Sequence, residues 1–566
     1  MERVVTSVGD WYIPGVQQCD NYVAYEQRAT QESAISRDKV FRIRARHPSQ
    51  GGGCTLARLR VPTIIINAGA ARRLRCSSGE HAVPVNITCL RQSSLKAAPS
   101  RIPLLRYCKF LLLILNLSVM TPYDELAEAN ADEECMRWLG DFLDAKEEIV
   151  SFVASRRPGQ AKGEFDGYLK GSFNFCVSVK FNDGGPRAII RFPKPGHTLT
   201  TRREEKVKSE VRVLEYLREN TSLSVPRITS WGLAEESPQK LGPFIIMDRI
   251  EGVSLTSLLR QPINEGEEDI VMMRDDIDVD KLDFVYEQLA EFIVELSRLE
   301  FDAIGAITKD ADSNKWSATE RPFTYNMNEM AVTVLNFPLD TFPTSPFQTT
   351  KELLDYQSDE NLANLRVQRN LCRDEEVARR RYIARHRIRQ LIPKFCKDNH
   401  GPFKLYCDDL QPGNIIVDPE TYKIQGILDW EWTHAMPAQF SYDPPWWLIL
   451  KGPSFWLESY TMKEFLDRYE PKLKQFLAAL ERVEAKLPPM EPKLSARMRE
   501  SWESGQFWFD FGIRKTLDVD EVYWGALHKK GDEVLDEEEQ KDLEKFTEQK
   551  MKDVREYDKE CKERGL

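Results

Sequence analysis

Residues 405–432 read LYCDDLQPGNIIVDPETYKIQGILDWEW. Two short apolar runs, Ile415 to Val417 and Ile424 to Leu428, flank the turn-forming Asp418-Pro419-Glu420-Thr421. That pattern predicts a β-hairpin. Asn414 enters its first strand and Asp429 leaves its second, and an antiparallel hairpin puts such positions side by side at its open end. Asp409 lies in the loop that feeds the first strand. Two carboxylates and an amide oxygen therefore converge, and all three are hard oxygen donors of the kind Mg²⁺ prefers.

An Asp, an Asn five residues later, then a hairpin and a second Asp is the layout that kinase-type phosphoryl transfer needs. Asp409 is placed to orient or deprotonate an acceptor hydroxyl, and Asn414 and Asp429 to hold Mg²⁺ against phosphates. The bland alternative is a surface hairpin with Asx-type turn residues. The Asp-x₄-Asn spacing alone favours the bland reading; the hairpin and Asp429 in register turn the balance to the functional one.

The stretch LYCDDLQPGNIIVD followed by GILDWEW resembles the aminoglycoside phosphotransferase and choline kinase-like superfamily, most closely its fungal phosphotransferase enzyme family. That family's loop usually carries a His where this chain has Cys407, and the His braces the loop there. The resemblance spans about Met120 to Trp524. It implies an α+β, protein kinase-like fold of two lobes, a small amino-terminal lobe containing a β-sheet and a larger helical carboxy-terminal lobe. It further implies transfer of the γ-phosphate of ATP (or GTP), assisted by Mg²⁺, to a hydroxyl of a small molecule. The alternative is a kinase-fold module, weak or inactive in catalysis, that binds nucleotide or a partner. The Asp-Phe-Gly and Ala-Pro-Glu landmarks of protein kinases are missing, which disfavours a protein acceptor.

Upstream, Tyr168 to Phe181 places Gly171-Ser172 between two strand-like runs. Small residues let backbone N–H groups approach phosphates, and the family places its nucleotide flap here. A plain hairpin turn is the competing reading. Arg191, in Ala188-Ile189-Ile190-Arg191, falls where kinases put a phosphate-gripping Lys; a guanidinium can do the same with a planar fork. Lys194 is its rival. The helix from about Thr201 to Asn220 carries Val207, Glu210, Leu214 and Leu217 on one stripe. A carboxylate on an apolar stripe needs a partner, and Arg191 is the kinase-like choice, against a Glu at the stripe's edge reaching solvent. Pro243 to Gly252 is a buried strand running into polar residues. By the resemblance it is the hinge, where backbone near Met247 to Arg249 bonds the nucleotide base.

The chain divides on these signals into residues 1–120, residues 121–250 as the lobe with the flap, and residues 251–566 as the helical lobe with the hairpin and a charged tail. In 1–120, Lys and Arg outnumber Asp and Glu, the reverse of the whole chain at −11. Three readings stay open for it: a targeting segment with a mitochondrial address, a disordered arm, or translated non-coding sequence ahead of a start at Met120. Otherwise a cytoplasmic location is expected.

Residues 132–153 predict one amphipathic helix. Residues 261–280 are an acidic insert, and residues 282–299 an amphipathic helix. Residues 321–347, rich in Pro and Phe, read as irregular, and Arg379-Arg380-Arg381 as a solvated face. The Trp446-Trp447 pair packs the helical lobe or lines the acceptor pocket, and Asp443 resembles a structural family Asp. From Gly531 the alternating charges predict a solvated helix or a partner-binding tail.

The overall acidity argues against nucleic acid as a general partner. The eleven Cys show no CxxC pair and the seven His no HExxH, so a structural metal is not expected and reduced thiols are. No apolar stretch is long enough to cross a membrane. The acceptor's identity and the oligomeric state leave no mark in the sequence.

Overall fold

The structure, a computed structural model, describes residues 123–159, 161–262, 271–488 and 492–566, and three short strands at 16–18, 64–65 and 75–76. The segment 1–120, apart from those strands, and part of the acidic insert lie outside the described residues. Of a separate unit, 35–117, the described residues are Ile64–Ile65 and Arg75–Cys76, paired antiparallel.

In the main unit two helices, α1 (Glu125–Asp144) and α2 (Lys146–Arg156), precede a sheet. Its strands are β1 (Gly163–Lys170), β2 (Asn174–Phe181), β3 (Ala188–Pro193), β4 (Ile228–Gly232) and β5 (Phe244–Asp248). The order is β1-β2-β3-β5-β4, antiparallel throughout, with Val16–Gln18 running parallel along the outer edge of β1. The single helix expected over 132–153 is two, because the chain leaves helical geometry at Ala145 (ψ 4°). α1 starts earlier than expected, at a cap where the Asp124 carboxylate accepts from the N–H groups of Leu126 and Ala127. Such caps are worth about 1 kcal/mol.

Side chains alternate across a strand, and here that alternation sorts chemistry from packing. Phe175, Val177, Ile190, Phe192, Phe244 and Ile246 face α1 and α2 and form one core with Phe142, Ile149 and Val153. Phe142 stands edge-on to both Phe175 and Phe192; truncating such a buried ring to Ala costs about 3–5 kcal/mol. The opposite face carries Ile189, Ile245 and Met247 against Val207 and Val211 of α3 (Arg203–Asn220). Arg191, two residues from Ile189, shares that face and so meets α3.

The remainder is mostly helical. α4 (Val279–Ser297) packs along α6 (Met462–Glu484), with Tyr286 edge-on to Phe476; α5 (Glu375–Gln390) lies between them in sequence. Among these helices β6 (Phe403–Cys407) pairs antiparallel with β9 (Thr433–Met436). The expected hairpin is β7 (Ile415–Val417) and β8 (Ile424–Ile427), with Ile415 opposite Ile427. β7 also pairs with Val253–Ser254, the chain that has just left the first sheet, so the hairpin is tied directly to the connection between the sheet and the helices.

Two expectations are corrected and a third is met in part. Residues 321–347 hold a helix, Tyr325–Thr333, capped by the Thr324 hydroxyl. The Arg triplet is not a solvated face: Arg381 is fully buried on Asp520, Arg380 stacks on Trp524, and Arg379 donates to the Glu533 carbonyl. Helix α5 has neighbours on more sides than its charge suggested. The charged tail forms α8 (Glu537–Arg564), which folds back onto the body. Leu543, Val554, Tyr557 and Cys561 are buried on it, and the Tyr557 hydroxyl donates to Asp124 at 3.2 Å.

Candidate active site

The loop after β6 carries Asp408 and Asp409, and the fold separates their jobs. Asp408 accepts a hydrogen bond from Arg514 Nη1 at 2.9 Å. Asp409 turns the other way and accepts from Asn414 Nδ2 at 3.0 Å and from Gln411 Nε2 at 2.6 Å. Asn414 is buried in the 3₁₀ turn Pro412–Asn414, and its Nδ2 also bonds the Asp409 carbonyl. The amide nitrogen is thus spent on Asp409, while Oδ1 makes no hydrogen bond among the described residues.

Asn414 and Asp429 are one position out of the expected side-by-side register: the Leu428 N–H donates to the Asn414 carbonyl at 2.7 Å, and Asp429 follows. Asp429 has φ 62°, a left-handed conformation that Asp tolerates better than most residues. It ends the strand and turns its carboxylate to Arg191, with Nη1 to Oδ1 at 3.2 Å. Arg191 also pairs with Glu210 of α3. The structure therefore brings Asp409, Asn414, Asp429, Arg191 and Glu210 into one cluster. Burial among protein groups, with Asp429 nearby, pushes the Asp409 carboxyl up to about 8, partly offset by the Asn414 bond.

Cys407, at the position of the family His, is buried, and its Sγ donates to the Asp429 carbonyl at 3.8 Å. The thiol thus ties β6 to the residue after the hairpin. Burial raises its pKa well above the ordinary thiol range.

A second ion pair was not foreseen. Lys206, one turn before Glu210, is buried and paired with Glu431. Asn174, at the base of the flap turn, donates to the same Glu431 oxygen at 2.8 Å. Burial pushes the Glu431 carboxyl up, but Lys206 and Arg191 outweigh it and hold it below the usual range. The available signals were Lys206 and Glu210 at i, i+4 and a Glu inside the Trp-Glu-Trp stretch.

In the turn expected to be the flap, the Gly171 N–H donates to the Asn174 carbonyl at 3.0 Å, and Ser172 follows it. The next residue, Phe173, seats its ring edge-on to Trp432, centroids 5.4 Å apart. Lys194 is buried in the loop after β3, its N–H on the Phe173 carbonyl; it does not replace Arg191 on Glu210.

The hinge residues stay apart from this cluster. Met247 is buried in mid-sheet opposite Ile189 and Ile228. The Arg249 N–H donates to the Arg187 carbonyl, and its side chain to Asp166 and Ser178, each at 3.1 Å. That N–H is already paired inside the sheet, which removes it as a free donor for a base.

Below the loop is a cavity of about 90 Å³ lined by Tyr406, Cys407, Phe440, Trp446, Phe511 and Arg514. Asp443 also lines it and accepts from the Ser501 hydroxyl, while its Oδ2 accepts no hydrogen bond among the described residues and lies 4.0 Å from Arg514 Nη2. Burial raises the Asp443 carboxyl to about 7 despite the Arg514 charge. Trp446 and Trp447 both line this cavity, and Trp447 is also part of the buried core.

The donor set fits magnesium. Among the described residues no group of three His, Cys, Asp or Glu side chains could hold a metal alone. Asn414 and Asp429 offer two protein oxygens, which is the usual share for Mg²⁺ when phosphates and water supply the others.

Residues 177–443 match the profile of the "Phosphotransferase enzyme family". The curated relatives include "Altered inheritance of mitochondria protein 9, mitochondrial" from Candida albicans (strain SC5314), 24% identical over 269 residues, and its namesake from Meyerozyma guilliermondii, 24% identical over 278. These matches cover 41% and 43% of this chain and the same shares of the relatives, so the chain spans about two-fifths of their length. Solved structures with likeness include an aminoglycoside phosphotransferase of Streptomyces rimosus in complex with ADP and streptomycin (14% identity, TM-score 0.32, covering 68% of this chain and 99% of that one). Another is a Plasmodium vivax ethanolamine kinase (12% identity, TM-score 0.34, 70% and 82%). Among the described residues no helix is long and apolar enough to cross a membrane.

Proposed function

We propose that this chain, whose residues 177–443 belong to the phosphotransferase enzyme family, moves the γ-phosphate of ATP or GTP to a hydroxyl of a small molecule. The observation that carries the reading is the contact of Asn414 with Asp409 beside an Asp429 that Arg191 and Glu210 hold in place.

In this reading Asp409 orients the acceptor hydroxyl and receives its proton. The acceptor oxygen forms a bond to the γ-phosphorus. The bond from that phosphorus to the bridging oxygen breaks, and its electron pair leaves with the nucleoside diphosphate. A carboxyl that ionises near neutrality suits a base working in the cell. Asn414 and Asp429 would hold magnesium, which would supply charge neutralisation between phosphates and protein. Arg191 is the phosphate-side cation, fixed by Glu210, and the Gly171-Ser172 turn covers the nucleotide. The sheet and its helices, 121–250, act as one lobe and 251–566 as the other.

The test is a screen of small alcohols for Mg²⁺-dependent consumption of ATP or GTP, with thermal melting alongside. Asp409→Ala is expected to abolish transfer and keep nucleotide-induced stabilisation, whereas Asp429→Ala loses both. Transfer undiminished in Asp409→Ala would overturn the reading. One observation favours the alternative of a binding module without turnover: the flap tip is seated on Trp432 through Phe173. Stabilisation by nucleotide with no acceptor consumed would support that alternative. For location we favour the mitochondrion, on the names of the yeast relatives; a fluorescent fusion confined to the cytosol would refute it.

A further inference from the structure

Phosphoryl transfer spreads negative charge over the equatorial oxygens of the moving group, and cations aimed at that place lower the barrier. The cations around the hairpin differ in how far they are already committed. Arg191 is paired with Glu210 and Asp429, Lys206 with Glu431, and Arg514 with Asp408. The ammonium of Lys515 makes no hydrogen bond or ion pair among the described residues.

Lys515 follows the helix α7 (Gln506–Ile513) by two residues and is half-buried. Its Nζ lies over three rings, 5.2 Å from the centroid of Tyr325, 5.5 Å from Phe511 and 5.9 Å from Trp446. Aromatic faces steady an ammonium without neutralising it. The Lys515 ammonium lies beside the cavity that Cys407 and Leu410 line, and those two residues bracket Asp409 in the chain. The loop itself has no cation to offer, since the residue two after Asp409 is Gln411, whose amide is spent on Asp409.

We propose that Lys515 is a catalytic residue that holds the phosphoryl group in transit beside Asp409. The proposal rests on the phosphotransferase reading. Three aromatic rings hold the ammonium beside the cavity under the Asp409 loop while leaving its hydrogens for phosphate oxygens. Phe511 and Trp446 also line the cavity below the loop, so the same two rings border both the cation and the space beside it.

The experiment is thermal melting of the full chain with Mg²⁺ and ADP, then with aluminium fluoride added as a mimic of the planar phosphoryl group. The unaltered chain is expected to be stabilised by ADP and stabilised further by the fluoride. Lys515→Gln and Lys515→Met keep the ADP shift within about a third and lose the fluoride increment; Lys515→Arg retains at least half of it. A fluoride increment undiminished in Lys515→Gln overturns the assignment, as does an unaltered chain that responds to ADP but gains nothing from fluoride. If the unaltered chain fails to respond to ADP or ATP, the nucleotide reading itself falls, and this assignment with it. Among the described residues the ammonium has no carboxylate partner, so neither neutral variant strands a charge. Melting without ligand verifies that all three variants fold.

Discussion

Arg191 Nη1 lies 3.2 Å from Asp429 Oδ1, so one ion pair joins the third strand of the small sheet to the residue that ends the hairpin, 238 positions later. The same guanidinium is paired with Glu210. Removing one partner from a buried pair leaves an uncompensated charge, which costs about 3–5 kcal/mol. Arg191→Met is therefore expected to destabilise by about that much, measured by urea unfolding, and Arg191→Met with Glu210→Gln to recover only part of it, since Asp429 still loses the guanidinium. Arg191→Lys should fall between, since a point charge cannot face two carboxylates as a planar fork does. Additive losses in the double variant would show that the pair is not coupled.

The Lys206–Glu431 pair gives a second test. Glu431 is fully buried and receives Asn174 as well. Lys206→Met should cost about 3–5 kcal/mol, and adding Glu431→Gln should restore most of that, because a neutral amide needs no counter-charge. If Lys206→Met melts within a degree of the parent, Glu431 does not depend on it.

Asp443 makes stability depend on pH. Burial raises its folded pKa to about 7; the unfolded value is about 3.9. Between these values the folded chain holds the proton more tightly than the unfolded one. The contribution of this group to stability therefore falls as pH rises from about 4 to about 7, and stays low above that. Asp443→Asn removes the titration. Its unfolding free energy relative to the parent should rise between pH 5 and pH 8, reaching a gain of about 1–3 kcal/mol by the scale of unsatisfied buried groups. A difference independent of pH would refute this.

Cys407 should be inert. A thiolate is the reactive form, and burial holds this thiol protonated far above neutrality. Site-resolved mass spectrometry after iodoacetamide at pH 8 should find the half-buried Cys176 and Cys396 alkylated well before Cys407. Labelling of Cys407 at the rate of Cys176 would mean that the tie to the Asp429 carbonyl opens readily.

The hairpin was legible because it is local: apolar runs, turn residues and the Asp, Asn and Asp positions lie within about twenty residues. The Arg191–Glu210 pair was legible through periodicity, since a carboxylate on an apolar stripe has to be answered. Lys206, Arg514 and Lys515 were not. A Lys on a charged helix reads as solvated, and only the meeting of Asn174, Lys206 and Glu431 across 257 positions buries it. The hinge assignment rested on backbone groups, which leave no side-chain mark, and the sheet has used the Arg249 N–H. The Arg triplet misled for the converse reason: Asp520, which neutralises Arg381, lies 139 residues downstream.

Phe173 carries one more consequence. Its ring rests against Trp432 and, 5.5 Å away, Tyr325, while its carbonyl takes the Lys194 N–H at 2.8 Å. Under the proposed function, a triphosphate passing under the turn would have to wait for that aromatic tip to lift. Capture rates in a stopped-flow experiment should then level off at high nucleotide concentration, at a ceiling set by the unlatching step. Phe173→Ala should raise that ceiling and hasten release, trading residence time for access.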